Sequence, residues 1–429
     1  MASSARMGAI AEFCLTLAGL CATGWALRAV LQRAHVPPAV SLMALGALLG
    51  PSLLDLLPES WLAARSTLSR AALVLLLLRA GLGLPVGRLR NVLLPALVFG
   101  TIPVAVEILG LAGLGRLALF DRLDVALLLG FLIAAVSPAV ILPTMLDQKD
   151  LGRGAARLVP DRIIVQTIVN AFVAQTGILF LVDFICPPEG FPGAARALAW
   201  LPLSVAGGLA VGAGTGLFTR LDAALPAHGA PTPRRVRAIA CAALAIALAL
   251  YFGCGYFGLE NVFAILALGV VLRRRLKVCE RPLRAELKRA WLVAEIVLFA
   301  NLGSAIDLGK LSDPELVSLL FGIVAAALGI RLATAHLLGR STSLTADESR
   351  YCTVAHVPKA TIQAVFGAYP LSVFLERCGD QPALLDSGQT LVVMAVVAIL
   401  STAPLGALLL DRLAASYLAP GVRKRPRPG

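Results

Sequence analysis

Two apolar segments of the chain are interrupted at their centres by proline and polar residues. The first reads GFLIAAVSPAVILPTML (130–146) and carries Pro138 near its middle. The second reads YCTVAHVPKATIQAVFGAYPL (351–371) and carries Pro358 and Lys359. Proline removes a backbone donor and leaves a carbonyl unpaired, which lipid cannot satisfy. Broken backbone at membrane depth is tolerated beside a water-filled cavity, so the two interruptions predict a pathway for an ion or a small substrate.

The polar side chains at these interruptions could bind and exchange small ions. The hydroxyl groups of Ser137 and Thr361, together with freed carbonyls, are oxygen ligands of the kind that hard metal ions prefer. Lys359 costs about 2.5–3.5 kcal/mol to insert at this depth, so it needs a role. It is either a structural lysine paired with freed carbonyls or a titrating lysine whose charged form desolvation disfavours.

Four further ionisable residues lie inside apolar runs. We expect Glu107 and Arg331 to form a structural ion pair that fixes helix packing, because charges within the membrane need partners. Arg79 lies near the end of its run and could extend its charge to the membrane interface. Glu295 has no partner that the sequence identifies, so it is either protonated and hydrogen-bonded or a proton-carrying group.

The composition predicts an all-α polytopic membrane protein. The 429 residues are 58% hydrophobic, with a mean hydropathy of +0.85, which is well above the range of soluble proteins. The apolar runs correspond to about thirteen transmembrane helices. The eight cysteines are scattered and predict neither a disulfide nor a metal site. No enzyme motif is present, so we predict neither an enzyme nor a resident cofactor.

The net charge of +13 is explained by membrane topology, and we predict no nucleic-acid partner. When thirteen spans are alternated, most arginines and lysines fall on one side, including the cluster from Arg273 to Arg289 and the tail 414–429. Basic loops mark the cytoplasmic side. The sequence therefore predicts an external N-terminus and a cytoplasmic C-terminus, in the plasma (inner) membrane.

The spacing of the two interruptions predicts internal symmetry. A single membrane domain would contain one six-helix repeat at about 9–184, a linking helix at 198–219 and a second repeat at about 235–413, followed by the basic tail. The interrupted helix is the fifth in each repeat, and the two run in opposite directions, as an inverted repeat requires.

Six stretches together carry a resemblance to a known family. They are RAGLGL (79–84), the Glu107 helix, AVSPAVILPTML (135–146), GIRLAT (329–334), VPKATIQA (357–364) and ILSTAPLGALLL (399–410). In these residues the chain resembles the cation–proton antiporters, in particular the NHA-type sodium/proton antiporters. The resemblance implies a core domain with two crossed broken helices, a dimerisation domain and hence a homodimer. It also implies alternating access of an elevator type, with protons and monovalent ions as the transported species.

The resemblance also implies where the ion-binding acid should be, and this chain lacks it. The family places Asp-Asp or Asn-Asp on the helix after the first interruption, and the alignment from the SPAV stretch puts that pair on Asn170 and Ala171. The carboxylate that would bind a cation or a proton is therefore replaced by Ala171. Asp161 lies about 13 Å away along the helix and reads as an ordinary first-turn residue. Glu295 is the best remaining candidate for the missing carboxylate.

Three functions remain open at this point. The first is a monovalent cation (Na⁺ or K⁺)/proton antiporter with an altered ion site, formed by Ser137, Asn170, Ala171, Glu295, Lys359 and Thr361. The second is a non-exchanging or regulatory paralogue that keeps the fold. The third is an anion or organic-acid transporter in which Lys359 balances the substrate.

Overall fold

A computed structural model of the chain describes residues 2–33, 38–84, 89–188, 193–224 and 231–418. Within these ranges all regular structure is helical. The α-helices are α1 (Ala2–Arg33), α2 (Pro38–Leu49), α3 (Glu59–Gly83), α4 (Leu89–Ala118), α5 (Leu123–Ala134), α6 (Pro138–Asp150), α7 (Val159–Ile185), α8 (Ala194–Phe218), α9 (Pro233–Tyr256), α10 (Asn261–Arg275), α11 (Glu280–Gly303), α12 (Leu308–Leu311), α13 (Pro314–Arg340), α14 (Ala346–Val354), α15 (Thr361–Phe366), α16 (Tyr369–Arg377) and α17 (Pro382–Tyr417).

Many of these helices can cross a membrane. Eight spans in the described part of the chain are long and apolar enough to do so, and a shorter apolar helical stretch, Ala11–Leu27, accompanies them. The all-α membrane class predicted from the sequence is therefore confirmed. The count of thirteen spans and the six-helix repeats stay predictions, and the end of the basic tail, 419–429, lies outside the described residues.

Both interruptions break a helix next to the prolines. At the first, α5 ends at Ala134 and α6 begins at Pro138. Proline suits the first position of a helix because the amide there has no partner within the helix. At the second, α14 ends at Val354 and α15 begins only at Thr361. The first predicted span is thus two half-helices, and the second is α14 followed by α15 and α16, with non-helical backbone at each interruption.

The chain divides into two compact units. The first contains Met1–Leu84, Cys186–Leu308 and Ala368–Gln381, and the second contains Pro85–Ile185, Gly309–Gly367 and Pro382–Gly429. Both broken helices begin in the second unit, together with Glu107, Asn170 and Arg331. Arg79 and Glu295 belong to the first unit.

Glycines allow close helix packing within the first unit. A Cβ at Gly46 of α2 would overlap the carbonyl of Ala300 in α11, and a Cβ at Gly303 of α11 would overlap that of Met43 in α2. Small residues of this kind let membrane helices approach backbone to backbone. Nearby, the Trp61 indole donates a 2.9 Å hydrogen bond to Asn301 Oδ1, which satisfies two buried polar groups.

A disulfide joins Cys186, just after α7, to Cys378, just after α16. The expectation of no disulfide was therefore wrong. The two cysteines are 192 residues apart and share no motif, so local spacing could not indicate the pair. Both belong to the first unit, and the Arg377 guanidinium donates a 3.2 Å hydrogen bond to the Cys186 carbonyl beside the bond.

Free thiols report this pairing directly. The six other cysteines are Cys14, Cys21, Cys241, Cys254, Cys279 and Cys352. We expect denatured protein that has not been reduced to take up six maleimide tags, and reduced protein to take up all eight. Eight tags before reduction would mean that the bond does not form.

Candidate ion-binding site

Close packing of α4 on α5 places Glu107 at the first interruption. A Cβ at Gly130 of α5 would lie 2.6 Å from the carbonyl oxygen of Ile108, the residue after Glu107 on α4. Glycine at this position therefore lets the two helices touch. Helix α17 packs equally closely on the second interruption. A Cβ at Gly406 of α17 would lie 2.6 Å from Pro358 Cβ.

The carboxyl end of α5 is covered by side chains from other helices. Gln363 Nε2 lies 3.0 Å from the Leu132 carbonyl oxygen and 2.9 Å from that of Ala135. Arg331 donates to the carbonyl of Ala134. The last carbonyls of a helix have no partner within it, and water is absent at membrane depth. These donors make the broken backbone tolerable there.

The two interruptions are hydrogen-bonded to each other. The Ser137 amide donates to the Pro358 carbonyl at 2.8 Å, and the Ser137 and Thr361 hydroxyl oxygens lie 2.8 Å apart. The Lys359 amide donates to Thr402 Oγ1 of α17 at 3.1 Å. The predicted hydroxyl ligands and the predicted prolines thus meet at one buried point.

Asn170 contacts the first interruption, and no acid follows it. Its Oδ1 accepts a 2.6 Å hydrogen bond from the Val136 amide, while Ala171 is buried with 5% of its surface exposed. Asp161 is also buried, and it forms an ion pair with Lys149. The structure therefore assigns Asp161 to a different contact from the one at the interruptions.

Glu107 is the carboxylate that meets both buried cations. Its Oε2 forms an ion pair with Arg331 Nη1, and its Oε1 lies 2.7 Å from Lys359 Nζ. All three side chains are fully buried. The lysine contact is an ion pair by distance, although its angles are not those of a hydrogen bond. Glu107 and Arg331 were expected to pair; the participation of Lys359 was not predicted.

Glu295 was the sequence's candidate for the missing carboxylate of the cation site, and that role stays a prediction; the carboxylate in contact with Lys359 is Glu107. Glu295 lies on α11 of the first unit, where its charge acts on Arg79 of α3. The Arg79 guanidinium also lies 5.9 Å from the centre of the Trp291 ring, a distance suited to a cation–π contact.

Three polar residues of the site were not singled out in the sequence. His356 is buried, and its Nδ1 lies 3.1 Å from Arg331 Nε and 2.9 Å from Arg331 Nη2. Gln363 and Thr402 are the other two. A signal was available for His356 and Gln363, because each is a polar residue within four positions of Lys359 in an apolar segment.

Comparisons with known proteins decide the family. The profile of the family described as "Sodium/hydrogen exchanger, transmembrane" matches residues 17–414, which is nearly the whole chain. The chain belongs to this exchanger family. The resemblance seen in the sequence is therefore confirmed, and this member of the exchanger family is an integral, multi-pass membrane protein.

Individual relatives of this exchanger-family chain support the assignment. Sodium/hydrogen exchanger 9B2 of Xenopus tropicalis is 28% identical over 82% of this chain and 63% of its own length. The human protein of that name is 28% identical over 91% of this chain and 72% of its own length. The chain thus spans less than two thirds of the frog relative.

A solved structure shares the fold. The sodium proton antiporter MjNhaP1 from Methanocaldococcus jannaschii superposes with a TM-score of 0.76 and 18% identity, over 96% of this chain and 99% of that one. At this level of identity the likeness establishes the fold, which is the antiporter fold predicted from the sequence.

Proposed function

We propose that the protein is a monovalent cation/proton antiporter, for Na⁺ or K⁺, in which the Glu107–Lys359 pair replaces the missing acid at Ala171. The contact that supports this proposal is the 2.7 Å approach of Lys359 Nζ to Glu107 Oε1 at the crossing of the two broken helices. Both groups are fully buried, and removal of the lysine proton would leave one carboxylate oxygen available to a cation. The names of the relatives and of the solved structure fit this activity.

Oxygen ligands for the cation are available around Glu107 Oε1. The Ser137 and Thr361 hydroxyls lie at the same interruptions, and Gln363 Oε1 is buried with no hydrogen-bond partner among the described residues. Asn170 binds the Val136 amide through its oxygen, so it would orient the backbone of the site. Freed carbonyls of the broken helices would complete the oxygen set that a hard cation prefers.

The charges of the cluster predict the stoichiometry. With Glu107, Arg331 and Lys359 all ionised, the cluster carries one net positive charge. If Lys359 loses its proton and one monovalent cation binds, the net charge is again one positive. The buried site therefore keeps the same charge in both states, which avoids the large cost of changing a charge in a low-dielectric interior. We propose electroneutral exchange of one proton for one cation.

Arg331 would act as a fixed charge in this mechanism. Guanidinium groups remain protonated in proteins, so Arg331 can neither carry the exchanged proton nor leave Glu107 uncompensated. A lysine is different, because its ammonium can lose a proton when it is buried. This division would leave Lys359 as the group that alternates between its protonated and neutral forms.

The remaining expectations form part of the same proposal. We propose that the chain is a homodimer, that its two halves are inverted repeats, and that its N-terminus is external and its C-terminus cytoplasmic in the plasma membrane. The basic cluster around Arg273 to Arg289 supports the orientation, because cytoplasmic loops are rich in such residues.

Purified protein in liposomes tests the proposal. We expect an imposed pH gradient to drive uptake of Na⁺ or K⁺, with a rate that is unchanged when a membrane potential is clamped by valinomycin at fixed K⁺ gradients. Absence of proton movement with Na⁺, K⁺ and Li⁺ would contradict the antiporter proposal.

An anion transporter is the second candidate, and one observation favours it. The buried cluster contains two cations for one carboxylate, so it could hold an anion beside Lys359. In the same liposomes, flux driven by Cl⁻ or by an organic acid, with no response to metal cations, would support this candidate in place of the first.

Ala171→Asp tests whether the chain uses a substitute acid. The new carboxylate would follow Asn170 on α7, at the position that the family uses, and would add a second site for a cation or a proton. We expect the variant to increase Na⁺- or Li⁺-dependent proton exchange by about tenfold, because charge-assisted contacts to a cation are among the stronger polar interactions. Ala174→Asp, one helical turn further on α7, is the matched control. A folded Ala171→Asp variant that shows no gain with any cation would contradict the placement of the site.

A further inference from the structure

His356 restricts how Arg331 contacts Glu107. Arg331 directs its Nε and Nη2 to His356 Nδ1, at 3.1 and 2.9 Å, and its Nη1 to Glu107 Oε2 and to the Ala134 carbonyl. A guanidinium group that is free to turn would present two parallel N–H groups to both carboxylate oxygens. Here one edge of the guanidinium is occupied by the imidazole, so Arg331 reaches only one oxygen of Glu107.

The consequence concerns the second carboxylate oxygen. Glu107 Oε1 accepts no hydrogen bond from the described residues, and Lys359 Nζ lies 2.7 Å from it. We infer that His356 is a positioning residue, which holds Arg331 on one oxygen of Glu107 and so reserves the other oxygen for Lys359 or for the transported cation. This inference rests on the proposed exchange at Glu107 and Lys359. It adds a residue that determines whether the second oxygen of Glu107 is available to Lys359 or to the cation.

The hydrogen bonds also define the state of the imidazole. A ring nitrogen that accepts a hydrogen bond carries no proton, and the charged form of histidine has no acceptor. With Nδ1 as the acceptor, His356 must be neutral, and its proton must be on Nε2. A neutral ring adds no third positive charge to a cluster that already contains Arg331 and Lys359.

Few other charged groups act on these residues. Among the described residues, Glu107 of α4 and Arg331 of α13 are the charged side chains in contact with Lys359 or His356. The other elements at the interruptions contribute uncharged groups, which are Ser137, Asn170, Thr361, Gln363 and Thr402. If replacing His356 changes the pH dependence of transport, the cause would therefore be a change in the contact between Arg331 and Glu107.

Two substitutions of His356 distinguish the effect of losing the hydrogen-bond acceptor from the effect of losing the imidazole ring. In His356→Asn, the amide oxygen can occupy the place of Nδ1 and keep Arg331 in position. In His356→Leu the acceptor is lost, and Arg331 can turn to take both oxygens of Glu107. Transport is measured in liposomes as a function of cation concentration and of pH, with the unfolding temperature as a check on folding.

We expect His356→Leu to raise the cation concentration for half-maximal flux about tenfold, which corresponds to the loss of one hydrogen bond to a charged group. The maximal flux should be retained. Competition by protons should move to lower pH, because Lys359 loses part of the negative charge that favours its protonated form. His356→Asn should remain within about twofold of the wild type. A folded His356→Leu variant with unchanged half-saturation and pH profile would overturn the inference, as would an asparagine variant as impaired as the leucine variant.

A measurement on the wild-type protein tests the inference even if the leucine variant fails to fold. The chain contains four histidines, so ¹⁵N-histidine NMR spectra can be assigned by comparison with His356→Asn. We expect a neutral His356 ring that carries its proton on Nε2, because Arg331 donates to Nδ1. A proton on Nδ1 would overturn the inference. If the wild type shows the expected ring but no cation/proton exchange, then the proposed function fails while the contact with Arg331 holds.

Discussion

Replacing Lys359 with alanine is expected to abolish proton-coupled cation flux. The substitution removes the group proposed to exchange its proton, and it leaves Glu107 paired with Arg331 in a neutral cluster. The protein should therefore still fold, since no buried charge loses its last partner. The loss should be at least about a hundredfold, the lower range for removal of a group that transfers a proton. Flux is measured in liposomes under an imposed pH gradient.

Lys359→Arg distinguishes a titrating lysine from a fixed positive charge. Arginine keeps the charge near Glu107 but does not release a proton in the relevant range, so we expect this variant to be inactive as well. Lys310→Ala is the matched control, because Lys310 lies in the same unit and pairs with Asp386 at its exposed surface. Normal transport by Lys359→Arg with unchanged pH dependence would mean that the lysine does not carry the proton.

Neutralising Glu107 should destabilise the protein more than neutralising Arg331 does. In Glu107→Gln, two buried cations remain without an anion, and breaking a buried pair in this way costs about 3–5 kcal/mol. In Arg331→Gln, Glu107 keeps Lys359 as its partner, so the loss should be smaller. Removal of Lys359 from the Glu107→Gln background, as Lys359→Met, should restore part of the stability. Unfolding temperatures in detergent provide the comparison.

The cycle of single and double variants also tests direct contact. Residues in one ion-pair network show coupling energies, whereas distant residues give additive losses. Asp386→Asn is a suitable control, since its pair with Lys310 is exposed and surface ion pairs contribute little. Additive losses for Glu107 and Arg331, or equal losses for both single variants, would contradict the arrangement of the three charges.

Much of the fold could be predicted because its signals are local. Proline and hydropathy act over a few residues, so the breaks near Pro138 and Pro358 and the all-helical class followed from the sequence. The pairing of Glu107 with Arg331 could also be predicted, because few other ionisable residues lie within the apolar runs. The contact of Lys359 with Glu107 was not predicted, because hydropathy does not indicate which buried acid meets which buried lysine.

The details of the ion site depend on contacts that only the folded chain forms. The polar character of His356 close to Lys359 was visible in the sequence, but a single histidine in an apolar run does not indicate which group it contacts. Its role depends on Arg331, which lies 25 residues earlier on α13, whereas His356 lies in the break between α14 and α15. Gln363 similarly gains its importance from the carbonyls of α5, which lie more than 200 residues away along the chain and become acceptors only because the helix ends there. A contact between a helix end and a side chain so distant in the sequence can be recognised only in the three-dimensional structure.

The Cys186–Cys378 disulfide limits the number of membrane crossings that the chain can make between these two cysteines. Two cysteines can bond only if they lie on the same face of the bilayer, so the segment between them must cross the membrane an even number of times. A topology with an odd number of crossings between Cys186 and Cys378 would therefore be incompatible with the bond. Because disulfides persist mainly in oxidising compartments, that face should be the external one, which is the same orientation that the basic loops favour.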